Sequence, residues 1–243
     1  IAVPDSAATN RYRLRDVGKP STVSDADQTR VDMHTKLLDE RVVSRAKQRG
    51  IDILVYAPHF TRLPQIKAQA AAYSDSELHV VAAREVFTGD WNNRRHLLAI
   101  GLDEPVPDFI TFEGAMAEFD RQDAAVVVPH PEFMNVSLTH PEIRAHAARI
   151  DAVETYCAKL FPYQNRRGQR IAADLNLPGF GSSYTHLPGT VGEAWTRFDR
   201  PIESTAALVD TLTTGADRQC TPLDVLRTHG RPPPQFCPPR LAK

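Results

Sequence analysis

Short apolar runs alternate with amphipathic stretches along most of the chain. The runs over 31–34, 51–57, 78–86 and 124–128 predict strands, and apolar positions at helical spacing predict helices over 39–49, 63–73 and 114–122. The same patterns predict later strands over 96–102, 152–156, 178–181 and 193–198, with helices over 164–176 and 204–212. Six or seven strands separated mostly by helices predict a closed or nearly closed α/β barrel, whose catalytic groups gather at the carboxyl ends of the strands.

The composition shifts near both ends of this pattern. Residues 1–27 are polar and show little periodicity, and from residue 216 the chain becomes rich in proline. We therefore expect an N-terminal extension over 1–27, one barrel domain over 28–215 and a Pro-rich C-terminal tail over 216–243. Such a tail is either disordered or a binding segment for a protein partner.

The charge balance and the absence of an apolar span limit the classes of partner. With 29 basic and 30 acidic residues, the net charge is −1, which makes nucleic acid an unlikely partner and favours a small substrate. No run of about 18 apolar residues or signal-peptide pattern is present, so we expect no membrane span and a cytoplasmic location. The three cysteines form no C-x-x-C pair, which agrees with a reducing compartment.

Histidines and one glutamate recur where the predicted strands end. They are His34, His59, Glu85, His96, His130 and His186. Neutral imidazole nitrogens and an anionic carboxylate are ligands for a divalent cation, and rigid strands fix their directions. The pattern therefore predicts a metal site.

Six segments carry a resemblance to a known family. They are VDMHTK (31–36), RGIDILVYAPH (49–59), REVFTG (84–89), RHLLAIG (95–101), VPHP (128–131) and FGSSYTH (180–186). In this order they resemble the PHP (polymerase and histidinol phosphatase) family of metal-dependent phosphoesterases. The resemblance implies a distorted seven-stranded (β/α) TIM-like barrel that holds up to three zinc, manganese or iron ions and hydrolyses phosphate esters.

The resemblance also assigns roles to single residues. His34 matches the first histidine of a His-x-His motif, and Glu85 matches the carboxylate that bridges two metals. His96 and His130 match the two histidines that join Glu85 on one ion. His59 and His186 match the histidines of the second and the closing motif.

A ligand-bearing loop of the family is missing before Asp39, and two further positions depart from the family pattern, which makes one ion a better prediction than three. Lys36 stands where the second histidine of His-x-His is expected, and Tyr184 stands where the closing aspartate is expected. An ammonium group cannot donate a lone pair to a metal. Either Lys36 replaces a cation and contacts substrate beside Glu85, or both departures mark a site that no longer turns over.

The predicted function is metal-dependent hydrolysis of a small phosphomonoester or phosphodiester by an activated water. We predict Glu85, His130, Lys36 and Arg62 as the catalytic residues, with Arg62 placed after His59 to pair with phosphate oxygens. The alternative is a catalytically degenerate PHP-like module that binds a ligand or a protein partner without turnover.

Overall fold

A computed structural model describes residues 28–222. Its strands are β1 (Thr29–Thr35), β2 (Ile53–Tyr56), β3 (His79–Thr88), β4 (Arg95–Ile100), β5 (Ala125–Val128), β6 (Ala152–Cys157), β7 (Gly179–Ser182), β8 (Ala194–Phe198) and β9 (Arg218–Pro222). Its helices are α1 (Glu40–Gln48), α2 (Leu63–Tyr73), α3 (Phe112–Arg121), α4 (His140–Ala145), α5 (Pro162–Leu175) and α6 (Thr205–Thr213). The helices begin where the sequence provides capping groups; for example, the Asp39 carboxylate accepts a hydrogen bond from the Val42 amide at the start of α1.

The strands form one sheet in the order β7-β6-β5-β4-β3-β2-β1-β8-β9. Strands β1, β2 and β3 are parallel to one another, as are β5, β6 and β7, whereas β4 runs antiparallel to both of its neighbours. Strands β3 and β4 are joined by a short 3-10 helix (Trp91–Asn93) and not by an α-helix. This reversal distorts the regular (β/α) order and brings the start of β4 to the same end of the sheet as the ends of the parallel strands.

The sheet curves so that β7 returns to β1. The Lys36 amide donates to the Thr185 carbonyl at 2.9 Å, and Thr35 and Thr185 form a parallel bridge. Strand β7 also contacts β8 and β9, and the Gly181 amide donates to the Thr196 hydroxyl at 2.9 Å. The predicted α/β fold with a nearly closed, TIM-like barrel is confirmed, although the described part of the sheet has nine strands instead of six or seven.

Apolar side chains fill the barrel and the layer outside it. Residues of eight strands, β1 to β8, meet in the interior, with Phe180 and Phe198 fully buried among them. Leu208 and Leu212 of α6 join this cluster from one end. Leu54 of β2 points the other way and packs with residues of α1 and α2. The barrel interior is therefore a packed core and not a pore, and functional side chains can only lie at the ends of the strands.

Two features extend or modify the expected organisation. Strand β9 begins after the expected domain boundary at residue 215 and pairs with β8, so the sheet continues past that boundary. The expected extension over 1–27 and residues 223–243 of the Pro-rich tail lie outside the described residues. Helix α4 was not predicted, because only six residues form it.

The cysteines do not all agree with the reducing compartment that the sequence suggested. Cys157 is buried and free, whereas Cys220 on β9 is disulfide-bonded. Within residues 28–222, no helix has the length and apolar character needed to cross a membrane.

Candidate metal centre

The predicted histidines and Glu85 lie at one end of the barrel because of how their strands run. His34 lies near the end of β1, His59 and His130 follow β2 and β5, and Glu85 lies in the second half of β3. His96 is the second residue of β4, and the antiparallel direction of that strand places it at the same end.

Three imidazoles lie close to one oxygen of Glu85. Its Oε1 atom lies 3.1 Å from His130 Nε2, 3.2 Å from His96 Nδ1 and 3.8 Å from His34 Nε2. Four ligand atoms placed tetrahedrally at about 2.1 Å from an ion lie about 3.4 Å from one another. The separations around Glu85 therefore have the size expected for ligands that share one ion.

The hydrogen bonding and protonation of the His34 and His96 rings also suit a bound cation. Both ring nitrogens of His34 and of His96 are buried and make no hydrogen bond among residues 28–222, although His96 Nδ1 lies close to Glu85 Oε1. Buried polar atoms without partners are rare, and an ion is one of the groups that satisfies them. Burial lowers the pKa of His34 well below its usual value, and it also lowers the pKa of His96, so both rings are neutral and keep a free lone pair.

The donor set therefore fits one divalent cation. His34, Glu85 and His130 are all buried and offer ligand atoms within 4.8 Å of one another, and His96 approaches the same glutamate oxygen. The resemblance to the PHP family implies that Glu85, His96 and His130 share one ion; in the structure His34 lies beside this group as well.

The other oxygen of Glu85 faces a different set of groups. Lys36 Nζ lies 2.5 Å from Oε2 and donates to the Ala57 carbonyl at 2.6 Å, and His59 Nε2 also bonds Oε2. The Lys36 side chain is only 5% exposed, so its ammonium group forms a buried ion pair. Burial alone would raise the pKa of Glu85, but the charge of Lys36 and the neighbouring imidazoles hold that pKa well below its usual value.

Tyr184 and His186 lie at the edge of the metal centre. The Tyr184 ring lies 4.8 Å from the His34 ring and 5.1 Å from the His130 ring, and burial raises its pKa, so the phenol stays neutral. His186 is exposed; its Nδ1 lies 2.9 Å from the Tyr184 carbonyl, and its ring is 6.4 Å from that of His59. No contact joins His186 to Glu85 within the described chain, so its ligand role stays a prediction.

A second buried carboxylate, Glu154 on β6, supports His130 and was not predicted. Its Oε2 accepts a hydrogen bond from the His130 amide at 2.6 Å, and its Oε1 accepts one from the Ser182 hydroxyl at 2.5 Å. His130 has a φ of 32°, an uncommon backbone conformation that this hydrogen bond helps to hold. Its Nδ1 lies 2.8 Å from the Ser137 hydroxyl, which leaves Nε2 directed at Glu85. The signal for Glu154 was a single charged residue inside an otherwise uncharged strand.

Asp32 supports the loop that carries Tyr184. Its carboxylate accepts hydrogen bonds from the Ser183 amide at 3.0 Å, the Ser183 hydroxyl at 2.5 Å and the Gly192 amide at 2.9 Å. Burial nevertheless raises the pKa of Asp32 to about 6. These bonds fix the chain between β7 and β8 against β1.

Arg62 is not brought into the cluster. It is exposed just before α2 and lines a groove with Phe60, Arg84 and Asp108, and no contact in the described chain joins it to Glu85 or Lys36. A larger open cavity of about 1330 Å³ lies at the opposite end of the barrel, beside His79 at the start of β3. The convergent polar groups, rather than the volume, identify the candidate site.

Comparisons with known proteins concern the fold of the chain. Residues 162–216 match the family model described as PHP-associated. A two-domain protein from Bacteroides vulgatus that contains a predicted PHP-like metal-dependent phosphoesterase has a similar structure, with a TM-score of 0.59, 16% identity and coverage of 80% of this chain and 64% of that one. The chain has a PHP-type fold.

Two further solved structures share this PHP-type barrel. A putative metal-dependent phosphoesterase from Bifidobacterium adolescentis aligns with a TM-score of 0.56 and 15% identity over 77% of this chain and 96% of that one. The lesion-specific endonuclease Q from Pyrococcus furiosus aligns with a TM-score of 0.56 and 15% identity over 79% of this chain and 57% of that one. No curated protein sequence matches the chain significantly.

These relatives confirm the resemblance to PHP proteins but do not support one expectation. Because an endonuclease shares the fold, the PHP-type barrel gives no support to the prediction that nucleic acid is an unlikely partner. At these levels of identity the likeness concerns the fold.

Proposed function

We propose that the chain is a metal-dependent phosphoesterase that acts on a small phosphomonoester or phosphodiester with one divalent ion, either zinc, manganese or iron. The observation that carries this proposal is the convergence of three imidazoles, from His34, His96 and His130, on one oxygen of Glu85. The PHP-type fold supports it, since relatives of that fold include proteins described as metal-dependent phosphoesterases.

Four residues would hold the ion: Glu85, His34, His96 and His130. When bound, a divalent cation acidifies water to a pKa near about 7 and neutralises charge on a phosphoryl oxygen. The hydrogen bonds that His130 makes with Ser137 through its ring and with Glu154 through its backbone amide would keep its ring and backbone in the orientation that binding requires.

Lys36 has the position and charge to replace a second cation. In the family pattern the residue at the position of Glu85 bridges two metals. Here the Lys36 ammonium contacts Oε2 of Glu85, whereas His34, His96 and His130 surround Oε1. A fixed positive charge beside the reacting phosphate stabilises the negative charge that develops on its oxygens. Lys36 would thus hold Glu85 and contact the substrate, and His59 would bond the same glutamate oxygen.

The first test measures metal content and turnover together. Protein purified without chelator should contain one ion per chain and hydrolyse p-nitrophenyl phosphate or bis(p-nitrophenyl) phosphate. Glu85→Gln and His130→Ala should lose both properties, whereas His79→Ala, at the far end of the barrel, should keep both. A metal-loaded protein that turns over no member of a broad phosphoester panel would refute the proposal.

Substitutions at the two departing positions test the role of Lys36. Lys36→Ala should depress turnover because the fixed charge is lost, and Lys36→His should admit an additional ion. Tyr184→Asp restores the family's oxygen ligand and should raise metal uptake. If neither Lys36 variant changes turnover or metal content, Lys36 has no part in the chemistry.

The alternative function is a PHP-like module that binds without turnover. Lys36 favours it, because its ammonium group already neutralises Glu85 without any metal. This alternative predicts no turnover and capture of a protein partner that is lost when residues 223–243 are removed. The truncation must start after Pro222, because β9 is part of the sheet.

A further inference from the structure

Exposed aromatic rings form a patch beside the candidate metal centre. Phe60, Trp91 and Phe109 are 60%, 59% and 41% exposed, although large apolar side chains are normally covered. Phe60 and Trp91 have nearly parallel rings, with centroids 6.4 Å apart and planes at 23°, and the Trp91 and Phe109 centroids are 5.8 Å apart. We call these three residues the rim aromatics.

A chain of ring contacts joins the rim aromatics to the candidate ligands. Phe87 of β3 stacks on the His96 ring with centroids 4.1 Å apart, and its other neighbours include Phe60 at 5.2 Å and Phe109 at 6.2 Å. His59 lies 6.1 Å from Phe60. The patch is therefore continuous with the wall of the metal centre.

The backbone holds two of these rings outward at an energetic cost. Phe60 has a φ of 54° and Phe109 a φ of 63°, which is the left-handed region that bulky residues rarely adopt. Burial of the two rings does not offset this conformational cost, because both side chains are exposed. Residues held in such conformations cluster at ligand-binding sites, where the strain fixes a side chain in the orientation that binding needs.

The third ring is fixed by its own short turn. Asp90 accepts hydrogen bonds from the Asn92 and Asn93 amides at 2.9 Å, which holds the turn that begins at Trp91. The Arg94 guanidinium lies 4.7 Å from the Trp91 ring centroid and donates to the Trp91 carbonyl at 2.6 Å. The indole is therefore positioned in advance, and a cation lies beside it at the mouth of the barrel.

We infer that the rim aromatics bind a planar aromatic or heteroaromatic group of the substrate, so that the enzyme acts on phosphoesters that carry such a ring. This inference rests on the proposed function, because it assigns the substrate class of the same site. Stacking suits the observed geometry, since flat exposed rings attract a flat apolar group while a phosphate remains in the polar centre next to it.

The test compares two substrates that share a methylene phosphate group and carry either a flat aromatic ring or a puckered saturated ring. Benzyl phosphate and cyclohexylmethyl phosphate have leaving groups of similar reactivity, so a difference in kcat/KM reports on recognition. Wild type should prefer benzyl phosphate, and Trp91→Leu and Phe60→Leu should each lower kcat/KM for it by about 5- to 100-fold. Both variants should lower kcat/KM for cyclohexylmethyl phosphate by less than for benzyl phosphate, because a puckered ring cannot stack on the rim aromatics.

Binding of non-hydrolysable analogues gives a readout that does not need turnover. Benzylphosphonate should bind wild type more tightly than cyclohexylmethylphosphonate in calorimetry, and Trp91→Leu should remove the difference. Phe161→Leu is the matched control, because Phe161 is 67% exposed but its ring contact is with Tyr163. It should behave as wild type.

The outcomes separate this inference from the proposed function. Selective binding of benzylphosphonate without turnover of any phosphoester would support the aromatic subsite and overturn the proposed function. Equal kcat/KM values for the two phosphates, or an unchanged preference in both Trp91→Leu and Phe60→Leu, would overturn the aromatic subsite while leaving the phosphoesterase intact.

Discussion

Replacing Lys36 with methionine removes one partner of the buried ion pair with Glu85. The two charged atoms lie 2.5 Å apart, and their side chains are 5% and 0% exposed. Removing one member of such a pair leaves an uncompensated buried charge and costs about 3–5 kcal/mol. For a chain of this size, each kcal/mol lowers Tm by about 2–4 °C, so metal-free Lys36→Met should melt about 6–20 °C below wild type.

The assay is thermal and urea unfolding of chelator-treated protein, with two controls. Lys67→Met removes a lysine that pairs with the exposed Asp103 and should change stability by less than about 1 kcal/mol. The double variant Lys36→Met with Glu85→Gln should recover much of the loss, because no buried charge is left unpaired. A Lys36→Met protein within about 1 kcal/mol of wild type would refute the buried ion pair on which the role of Lys36 depends.

Three other outcomes follow from the packing and the ligand geometry. Gly168→Ala in α5 should lower Tm strongly, since a Cβ there would lie 2.3 Å from the Glu154 carbonyl oxygen, whereas Gly189→Ala, with nothing within 4 Å, should leave Tm unchanged. Ser137→Ala should weaken metal binding by about 10- to 100-fold in competition titrations, because it removes the hydrogen bond that orients His130; unchanged affinity would contradict that role. Chelation should lower the Tm of wild type but not that of His130→Ala, and an equal drop in both would place the ion elsewhere.

The fold was predictable because its elements have clear periodicity. Helix α2 has the predicted bounds, 63–73, and α1 (Glu40–Gln48) lies within the predicted helix over 39–49. Strand β9 was missed because the sequence 218–222 lacks an apolar run, and its place in the sheet comes from pairing with β8. Local patterns do not encode such edge pairing.

The sequence predicted most of the residues of the site but not how they are arranged around Glu85. Ordered motifs identified Glu85 and the histidines, since each motif includes its strand. The sequence did not reveal that β4 is antiparallel or that Glu154 supports His130. It also did not reveal that Lys36 and His59 bond one oxygen of Glu85 while three imidazoles surround the other. These relations depend on strand direction and rotamers, which spacing along the chain does not specify. Arg62 was chosen for its position after His59, but its side chain lies at the start of α2, outside the cluster.

Elemental analysis of protein purified without chelator tests the central claim most directly, with Glu85→Gln and His130→Ala measured beside wild type. One zinc, manganese or iron ion per wild-type chain, and none in either variant, is the predicted result. Wild type without bound metal, or variants that retain the full complement, would contradict the shared-ion site on Glu85.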